Sequence, residues 1–392
     1  MLKLSHCRAV TPFRILEDAC ILCEGEQILR VGPDDGTECP TLDLSGLLVT
    51  PGFVDAHVHG GGGCEFWTDD PQEILRGAAF LARRGTTALL PSVNYARQMD
   101  LDQPTRAKLS AMHQAMEARQ GPELLGLHLE GPHIAPSYPM IPDQPLNPAL
   151  PERYLAFLDQ APPVLKWTVA PEVEGVPELI RVLLERGIHV SLGHSDCGME
   201  DIYPAYEAGV RQVTHIYSGM SSVRRVNGRR LPGLLEGALL LDEMTVELIA
   251  NGAHLPPELI RLVWQAKGPQ HICVVSDGTA ATGNPDGFIL YRGQEGWIED
   301  GAILRADRTG FLGSAVTTEA MFQNLVQRVG IPLADAVRMC ATTPARSLGL
   351  GGRKGVLAPG FDGDLLAFDP QLTIRLVVIR GEIFYCDPAL HS

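Results

Sequence analysis

The chain has 392 residues, of which 45% are hydrophobic, and its formal net charge is −15. A chain of this length and composition can bury a large core, which excludes a mostly disordered protein. The acidic balance argues against a nucleic-acid partner, because nucleic-acid phosphates attract an extended basic surface.

The N-terminal segment MLKLSHCRAVTPFRILEDAC has no basic stretch followed by an apolar one, and the chain has no charge-free apolar run long enough to span a membrane. We therefore expect a soluble, unexported protein without membrane contacts. Its nine cysteines form no disulfide framework, which is typical of the reducing cytoplasm.

Short strands separated by turns are predicted at both ends of the chain. ACILCEG and QILRVG lie near the start, and LTIRLVVIRGEIFY lies near the end. Each set is too small to hold a core alone. We therefore predict a small β-sandwich domain built from residues 1–50 and 346–392, around a second domain at residues 51–345.

Within residues 51–345, short apolar runs alternate with longer segments of helical periodicity such as DPQEILRGAAFLARRG. This alternation predicts an α/β fold, the (β/α)8 TIM barrel. The eight runs are LLVTPGFVDAHVHGG, GTTALLPSVN, LLGLHLEGP, LKWTVAPE, HVSLGHSD, VRQVTHIYSG, TVELIANGAH and HICVVSDG.

Imidazoles and carboxylates occur where five of these predicted strands end. The residues are His57, His59, Glu130, His194, His215 and Asp277. Strand alternation points His57 and His59 to the same side, and a barrel builds its active site at this end of its strands. Imidazole and carboxylate hold zinc, iron or manganese, so the pattern predicts a catalytic metal site.

Seven motifs carry a family resemblance: PGFVDAHVHGGGG, HLEGP, LGHSD, THIYSGM, NGAH, SDG and FLGSAVT. In this order they resemble the N-acetylglucosamine-6-phosphate deacetylases of the amidohydrolase superfamily. The resemblance implies metal-dependent hydrolysis of the acetamide of an N-acetyl amino sugar phosphate. It also implies one or two divalent metal ions, zinc before iron or manganese, and a homodimer.

The resemblance also assigns roles to individual residues. Glu130, His194 and His215 match the main metal ligands, and His57 with His59 match a pair that completes a second metal site in some members. Asp277 matches the aspartate that transfers the proton. On the substrate side, His254 matches a histidine that contacts the sugar phosphate, and Arg230, with Arg229 as second choice, matches a phosphate-binding arginine.

The sequence departs from the family pattern around the substrate. The carbonyl-polarising histidine expected after LEGP is absent, and Gln144 is the candidate substitute. Ser218 and Gly219 stand where the family usually has Asn-Ala. SVRRVNGRRLPG, residues 222–233, carries four arginines, of which Arg224 and Arg225 are candidate surface or inter-subunit contacts.

Two further residues near the predicted site receive supporting roles. His128 shares a strand face with Glu130, and we expect it to support Glu130 without binding metal. Lys166 lies near the start of the fourth barrel strand, which predicts a packing or surface role. The alternatives to the deacetylase are an amidohydrolase of another N-acylated anionic or cyclic amide substrate, and a non-catalytic barrel scaffold.

Overall fold

The computed structural model describes residues 1–94, 101–138 and 149–391. Its N-terminal part consists of strands whose buried positions include apolar side chains such as Leu4 and Ile21. These strands are β1 (Leu2–Val10), β2 (Ile15–Glu24), β3 (Gln27–Gly32), β4 (Thr41–Asp43) and β5 (Leu48–Pro51).

The central part of the chain alternates strands with helices. The strands are β6 (Phe53–Val58), β7 (Gly60–Gly61), β8 (Cys64–Glu65), β9 (Thr86–Asn94), β10 (Glu123–Leu124), β11 (Leu127–Glu130), β12 (Val164–Val169), β13 (His189–Leu192), β14 (Gln212–Val213), β15 (Arg224–Val226), β16 (Arg229–Leu231), β17 (Thr245–Leu248) and β18 (Ile272–Val274). The helices are α1 (Pro71–Ala82), α2 (Gln103–Ala118), α3 (Pro151–Leu158), α4 (Val176–Glu185), α5 (Met199–Ala208), α6 (Leu234–Leu240) and α7 (Pro257–Lys267), with a 3₁₀ turn at Pro269–His271.

The predicted barrel is confirmed. Strands β6, β9, β11, β12, β13, β14, β17 and β18 follow one another in a parallel sheet, and the short strand β10 also pairs with β9. A bridge between Val58 and Gly278 brings the first and last strands together. Apolar side chains of strands and helices form one continuous core, which holds the strand ends in fixed positions.

A four-stranded antiparallel sheet follows the last barrel strand and was not predicted. Its strands are β19 (Gly287–Tyr291), β20 (Gln294–Glu299), β21 (Ala302–Arg305) and β22 (Phe311–Ser314). The sheet encloses a small core of Ala281, Ile298, Ile303 and Ala315. Its first hairpin reaches the candidate site described below.

The last part of the chain packs helices against the barrel and returns to the N-terminal strands. It contains α8 (Thr318–Gln323), α9 (Leu333–Val337) and α10 (Thr343–Ser347), π-helical turns at Asn324–Val329 and Arg338–Thr342, β23 (Leu365–Phe368), β24 (Ile374–Ile379), β25 (Glu382–Cys386) and a 3₁₀ turn at Pro388–His391. In the described residues, no helix is both long enough and apolar enough to cross a membrane.

Both chain ends contribute to one sheet, as predicted. Its strand order is β25-β24-β23-β5-β1-β2-β3, with β4 paired to β1, and β5 is antiparallel to β23. This sheet has its own apolar cluster, which includes Leu4, Ile21, Val49 and Leu376. The small domain therefore depends on both ends of the chain.

A charged cluster joins this small domain to the barrel. Glu123, in β10, accepts a hydrogen bond at 2.9 Å from Arg353 Nη1 and lies 2.9 Å from Lys354 Nζ. Lys354 Nζ is also 2.7 Å from Asp364 Oδ2, just before β23. The Lys354 and Asp364 side chains are 1% and 7% exposed, so this is a buried ion pair. It lies beside β10, which pairs with the first half of β9 and not with the carboxyl end that faces the barrel mouth.

Candidate metal and catalytic site

The strand-end residues that the sequence singled out come together at the carboxyl ends of the barrel strands. His57 lies in β6 with His59 just beyond it, and Glu130 ends β11. His194 and His215 follow β13 and β14. In a barrel, this end brings side chains of separate strands to one mouth.

Two groups of side chains share Glu130. The ligand atoms of His57, His59 and Glu130 lie within 4.8 Å of one another, and so do those of Glu130, His194 and His215. Glu130 Oε1 is 3.1 Å from Nε2 of both His194 and His215. Glu130 Oε2 is 3.3 Å from His59 Nε2 and 3.6 Å from His57 Nε2. Each carboxylate oxygen therefore faces its own pair of imidazoles.

The outer nitrogen of each of these histidines has an oxygen acceptor. The Nδ1···O contacts are His57 to Glu247 Oε2 at 3.0 Å, His59 to Ser92 O at 3.0 Å, His194 to Tyr138 O at 3.1 Å and His215 to Ser218 O at 3.1 Å. An acceptor at Nδ1 keeps a proton on that nitrogen and turns Nε2 toward Glu130, where it could bind a metal ion. Histidines that bind metals are oriented in the same way.

Asp277 completes the cluster on its more open side. Its Oδ1 lies 3.3 Å from His59 Nε2 and 3.6 Å from His57 Nε2. The side chains of Asp277 and His194 are 14% and 16% exposed, whereas that of Glu130 is 3% exposed. A molecule that enters the mouth therefore meets Asp277 before the deeper carboxylate.

The charges of the cluster fit a cation at its centre. Burial lowers the pKa of His57, but the carboxylates of Glu130 and Glu247 outweigh this effect and raise it to about 10. Burial raises the pKa of Asp277, but its hydrogen bond to His59 and the neighbouring imidazoles lower it to about 2. The carboxylates thus favour positive charge at the centre of the cluster, and Asp277 is ionised near neutral pH. The donor set of imidazole and carboxylate fits zinc, iron or manganese.

Three site residues have left-handed backbone conformations. The φ angles are 49° for His194, 26° for His215 and 45° for Asp277. Such angles cost on the order of 1–3 kcal/mol for residues other than glycine, and they cluster at functional sites. The Asp277 N–H donates to His57 O at 2.9 Å, which holds this strained residue beside the first strand.

His128 is fully buried next to the site. Its Nδ1 lies 2.8 Å from Ser92 Oγ, and its Nε2 lies 2.8 Å from Thr168 Oγ1. Its ring packs edge-on against His57, with centroids 4.5 Å apart. The ring contact places His128 beside His57, and its support of Glu130 stays a prediction.

The surface alternative for Lys166 is wrong. Lys166 is 0% exposed in β12, and its ammonium contacts Glu247 of β17. Glu247 is a site neighbour that sequence reasoning missed, although a single charge in the apolar run TVELIANGAH was a usable signal. The two residues form a buried ion pair beside His57.

Asn94 and Arg292 were also missed. Asn94 ends the second barrel strand, β9, and its Nδ2 donates to Glu130 Oε2 at 2.6 Å. Arg292, at the tip of the β19–β20 hairpin, donates to Asn94 Oδ1 and Glu65 Oε2, each at 2.8 Å. The strand-end rule that found Glu130 would have found Asn94, whereas Arg292 lies in the unpredicted sheet.

The residues expected to contact substrate lie around the mouth. Gly219 lies against His194, because a Cβ on Gly219 would be 3.2 Å from His194 Nδ1. His254 Nδ1 is 2.8 Å from Asn251 Nδ2, and burial lowers the pKa of His254 to about 4. His254 is therefore neutral near pH 7, with Nε2 as its N–H donor. Gln144 lies outside the described residues.

The arginine-rich segment forms a hairpin where the sequence suggested a loop. Strands β15 and β16 pair through a tight turn at Asn227 and Gly228, whose φ angles of 48° and 80° suit a two-residue hairpin. Arg224 Nη1 donates to Asp196 O at 3.2 Å, close to His194 in the chain. Arg225, Arg229 and Arg230 are exposed and make no ion pair within the described ranges.

Comparisons with known proteins agree on one family. The sequence model of the family described as "Amidohydrolase family" matches residues 48–384. The chain is 31% identical over 353 residues to N-acetylgalactosamine-6-phosphate deacetylase of Escherichia coli O157:H7, covering 86% of this chain and 87% of that protein. It is 28% identical over 388 residues to N-acetylglucosamine-6-phosphate deacetylase of Bacillus subtilis (strain 168), covering 95% and 97%.

A solved structure has the same overall architecture. It is a mutant of N-acetyl-D-glucosamine-6-phosphate deacetylase from Mycobacterium smegmatis, in complex with N-acetyl-D-glucosamine-6-phosphate. The TM-score is 0.87 at 28% identity, covering 98% of this chain and 99% of that chain. The likeness therefore extends over the barrel and the small domain together.

Proposed function

The chain belongs to the amidohydrolase family, and we propose that it hydrolyses the acetamide of an N-acetyl amino sugar 6-phosphate to acetate and the amino sugar phosphate. N-acetylglucosamine-6-phosphate is the first candidate substrate, because relatives and the similar structure carry that name. N-acetylgalactosamine-6-phosphate is the second, because the relative from Escherichia coli O157:H7 is named for it.

One observation carries the proposal: imidazole Nε2 atoms from three strands meet the two oxygens of Glu130, with Asp277 beside them. Glu130, His194 and His215 would hold one divalent ion, and His57, His59 and Glu130 would hold a second. Zinc is the first candidate, before iron or manganese. When bound, such an ion supplies a Lewis acid that acidifies water and polarises an amide carbonyl.

We assign the proton transfers to Asp277. Its carboxylate accepts a proton from the attacking water and returns it to the nitrogen of the leaving amine, which otherwise departs poorly. Ionisation at neutral pH and the position at the open side of the cluster support this role. Each positioned proton transfer contributes roughly 100-fold to 10,000-fold to the rate.

The sugar phosphate would bind on the rim around the metal-site residues. We assign it His254, whose neutral ring offers Nε2–H, and the loop at Ser218 and Gly219. Arg230 is the first candidate for the phosphate and Arg229 the second, because a guanidinium matches two phosphate oxygens. Their exposure on the β15–β16 hairpin also suits a homodimer, in which the hairpin of one subunit reaches its neighbour's site.

All nine cysteines are free thiols, which supports the cytoplasmic location that we propose. Of the two alternatives from the sequence, the scaffold is disfavoured by the clustered metal-site residues. The other alternative, an amidohydrolase of another N-acylated anionic or cyclic amide substrate, differs from our proposal in the substrate that it binds.

An acetate-release screen tests the proposal. Purified protein of defined metal content is given N-acetylglucosamine and N-acetylgalactosamine, each with and without the 6-phosphate. We expect release from a 6-phosphate with a kcat/KM well above that of the unphosphorylated sugar. A preference for unphosphorylated sugars, or no release from any of them with metal bound, would contradict the proposal.

A further inference from the structure

A buried ion pair lies next to the candidate metal site. Lys166 Nζ contacts one carboxylate oxygen of Glu247, and their side chains are 0% and 3% exposed. Lys166 Nζ also donates to the carbonyl oxygen of Ala56 at 3.0 Å, one residue before His57. The pair therefore joins β12 and β17 to the first barrel strand, without reaching the open mouth.

The second oxygen of Glu247 contacts both groups of metal-site residues. Oε2 accepts from His57 Nδ1 at 3.0 Å and from the backbone N–H of His215 at 3.3 Å. His57 belongs to one group that shares Glu130, and His215 belongs to the other. A single carboxylate oxygen thus fixes a side chain of the first group and the backbone of the second.

These contacts determine which nitrogen of His57 can bind a metal ion. An ionised carboxylate can only accept hydrogen bonds, so Nδ1 keeps its proton, and Nε2, which faces Glu130, is the nitrogen that can give up a proton to bind a metal ion. Lys166 holds the other oxygen of Glu247, so the carboxylate cannot turn away. The edge-on ring of His128 limits rotation of His57 from another side.

We propose that Glu247 and Lys166 are positioning residues that hold His57 as an Nε2 ligand and so enable the His57–His59–Glu130 group to bind a second metal ion. The inference rests on the proposed metal-dependent function. A buried ion pair contributes little net stability compared with apolar side chains of similar size. Orientation of His57 is a role that apolar residues could not perform.

The test compares the wild type with Glu247→Gln and with the double variant Glu247→Gln/Lys166→Met. In the single variant, the amide oxygen faces Lys166 and the amide N–H turns toward His57 Nδ1, which shifts the His57 proton to Nε2. The double variant leaves no unpaired charge in the core, which guards against misfolding. Metal-free protein is dialysed against buffered free Zn²⁺ or Mn²⁺, and bound metal per chain is measured by mass spectrometry.

We expect two binding steps in the wild type. Glu247→Gln should weaken one step by about 10- to 100-fold, the usual effect of losing a residue that orients a metal ligand. The double variant should weaken the same step less, because without Lys166 the amide can turn its oxygen toward His57 Nδ1. The second readout is the visible spectrum of Co²⁺-loaded protein, which should lose the contribution of one site. The other step should change less, because the Glu130, His194 and His215 side chains are retained and His215 loses only its backbone contact to Glu247 Oε2 at 3.3 Å.

The matched control is the buried pair of Lys354 and Asp364, which lies away from the barrel mouth. Lys354 Nζ is 2.7 Å from Asp364 Oδ2. Lys354→Met/Asp364→Asn should lower the melting temperature without changing either metal-binding step. A wild type that binds one ion per chain at saturation would overturn the inference. A folded Glu247→Gln variant that retains both affinities would overturn it as well.

The metal measurements contain no substrate, so the inference and the proposed function can fail separately. A wild type with two binding steps, one of them weakened in the Glu247 variants, supports the inference even if no acetate is released from amino sugar phosphates. That combination would contradict the proposed function alone.

Discussion

Replacing Asp277 by Asn separates proton transfer from metal binding and from folding. Asn has nearly the same shape as Asp and tolerates left-handed backbone well, so it can adopt the φ of 45° at this position. The backbone N–H that donates to His57 O at 2.9 Å is unchanged. The Glu130, His194 and His215 side chains are unchanged too, so we expect at least one bound ion.

The side-chain amide that Asp277→Asn introduces cannot accept a proton from water, so the rate should fall. Loss of a positioned proton transfer costs roughly 100-fold to 10,000-fold in kcat. This corresponds to about 2.7–5.5 kcal/mol in the barrier. The assay is acetate release from N-acetylglucosamine-6-phosphate at saturating substrate, together with bound metal per chain and the melting temperature of the same preparation.

Asp300→Asn is the matched control for this variant. Asp300 is also an aspartate with left-handed backbone, at a φ of 49°, but it lies in the turn between β20 and β21. We expect wild-type kcat from Asp300→Asn. If Asp277→Asn binds metal normally and keeps more than about a tenth of the wild-type kcat, the proton-transfer role of Asp277 is refuted.

Three more predictions test the anion site, the metal and the contact between the domains. Arg230→Ala should raise KM for a 6-phosphate substrate about 10- to 100-fold more than KM for its unphosphorylated analogue. The control Arg224→Ala, which loses a contact to Glu200 at 3.5 Å, should change both KM values equally. Equal effects of Arg230→Ala on the two KM values would contradict its anion-binding role. Chelation should abolish acetate release and lower the melting temperature, and Zn²⁺ should restore both; full activity of metal-free protein would contradict metal dependence. Burial raises the pKa of Glu123, but Arg353 and Lys354 outweigh this effect and lower it to about 2. The ionised Glu123 therefore stabilises the folded protein above about pH 4.5, and this contribution is lost as the pH falls toward 2. Glu123→Gln should therefore lower the free energy of unfolding by about 2–3 kcal/mol at pH 7 and flatten its decline in acid, as measured by urea titration; an unchanged decline would refute this account.

The convergence of the site residues could be predicted because it depends on simple geometry. Parallel strands present their carboxyl ends on one side of a barrel, and residues two apart on a strand share a face. Those two rules were enough to bring His57, His59, Glu130 and Asp277 together before any coordinates were known. Their roles in binding and proton transfer remain proposals.

The residues that escaped prediction lie where these rules do not apply. Lys166 and Glu247 lie inside strands, and their contact depends on how β12 and β17 are placed around the barrel. Local patterns in a single sequence do not show that placement. Arg292 reaches the site from an antiparallel sheet with a core of few apolar side chains. The strands of this sheet have only four to six residues each and are separated by turns, so the sequence there resembles a surface loop.

The pairing of β5 with β23 has a consequence during synthesis. About 300 residues separate the two strands, so at 5–20 residues per second the ribosome adds the partner roughly 15–60 s after β5 has been made. During that interval the edge of β5 is open to pairing with other nascent chains, which is a known route to aggregation. Loss of β23 to β25 by premature termination would make this exposure permanent, so the yield of properly folded protein depends on the completion of each chain.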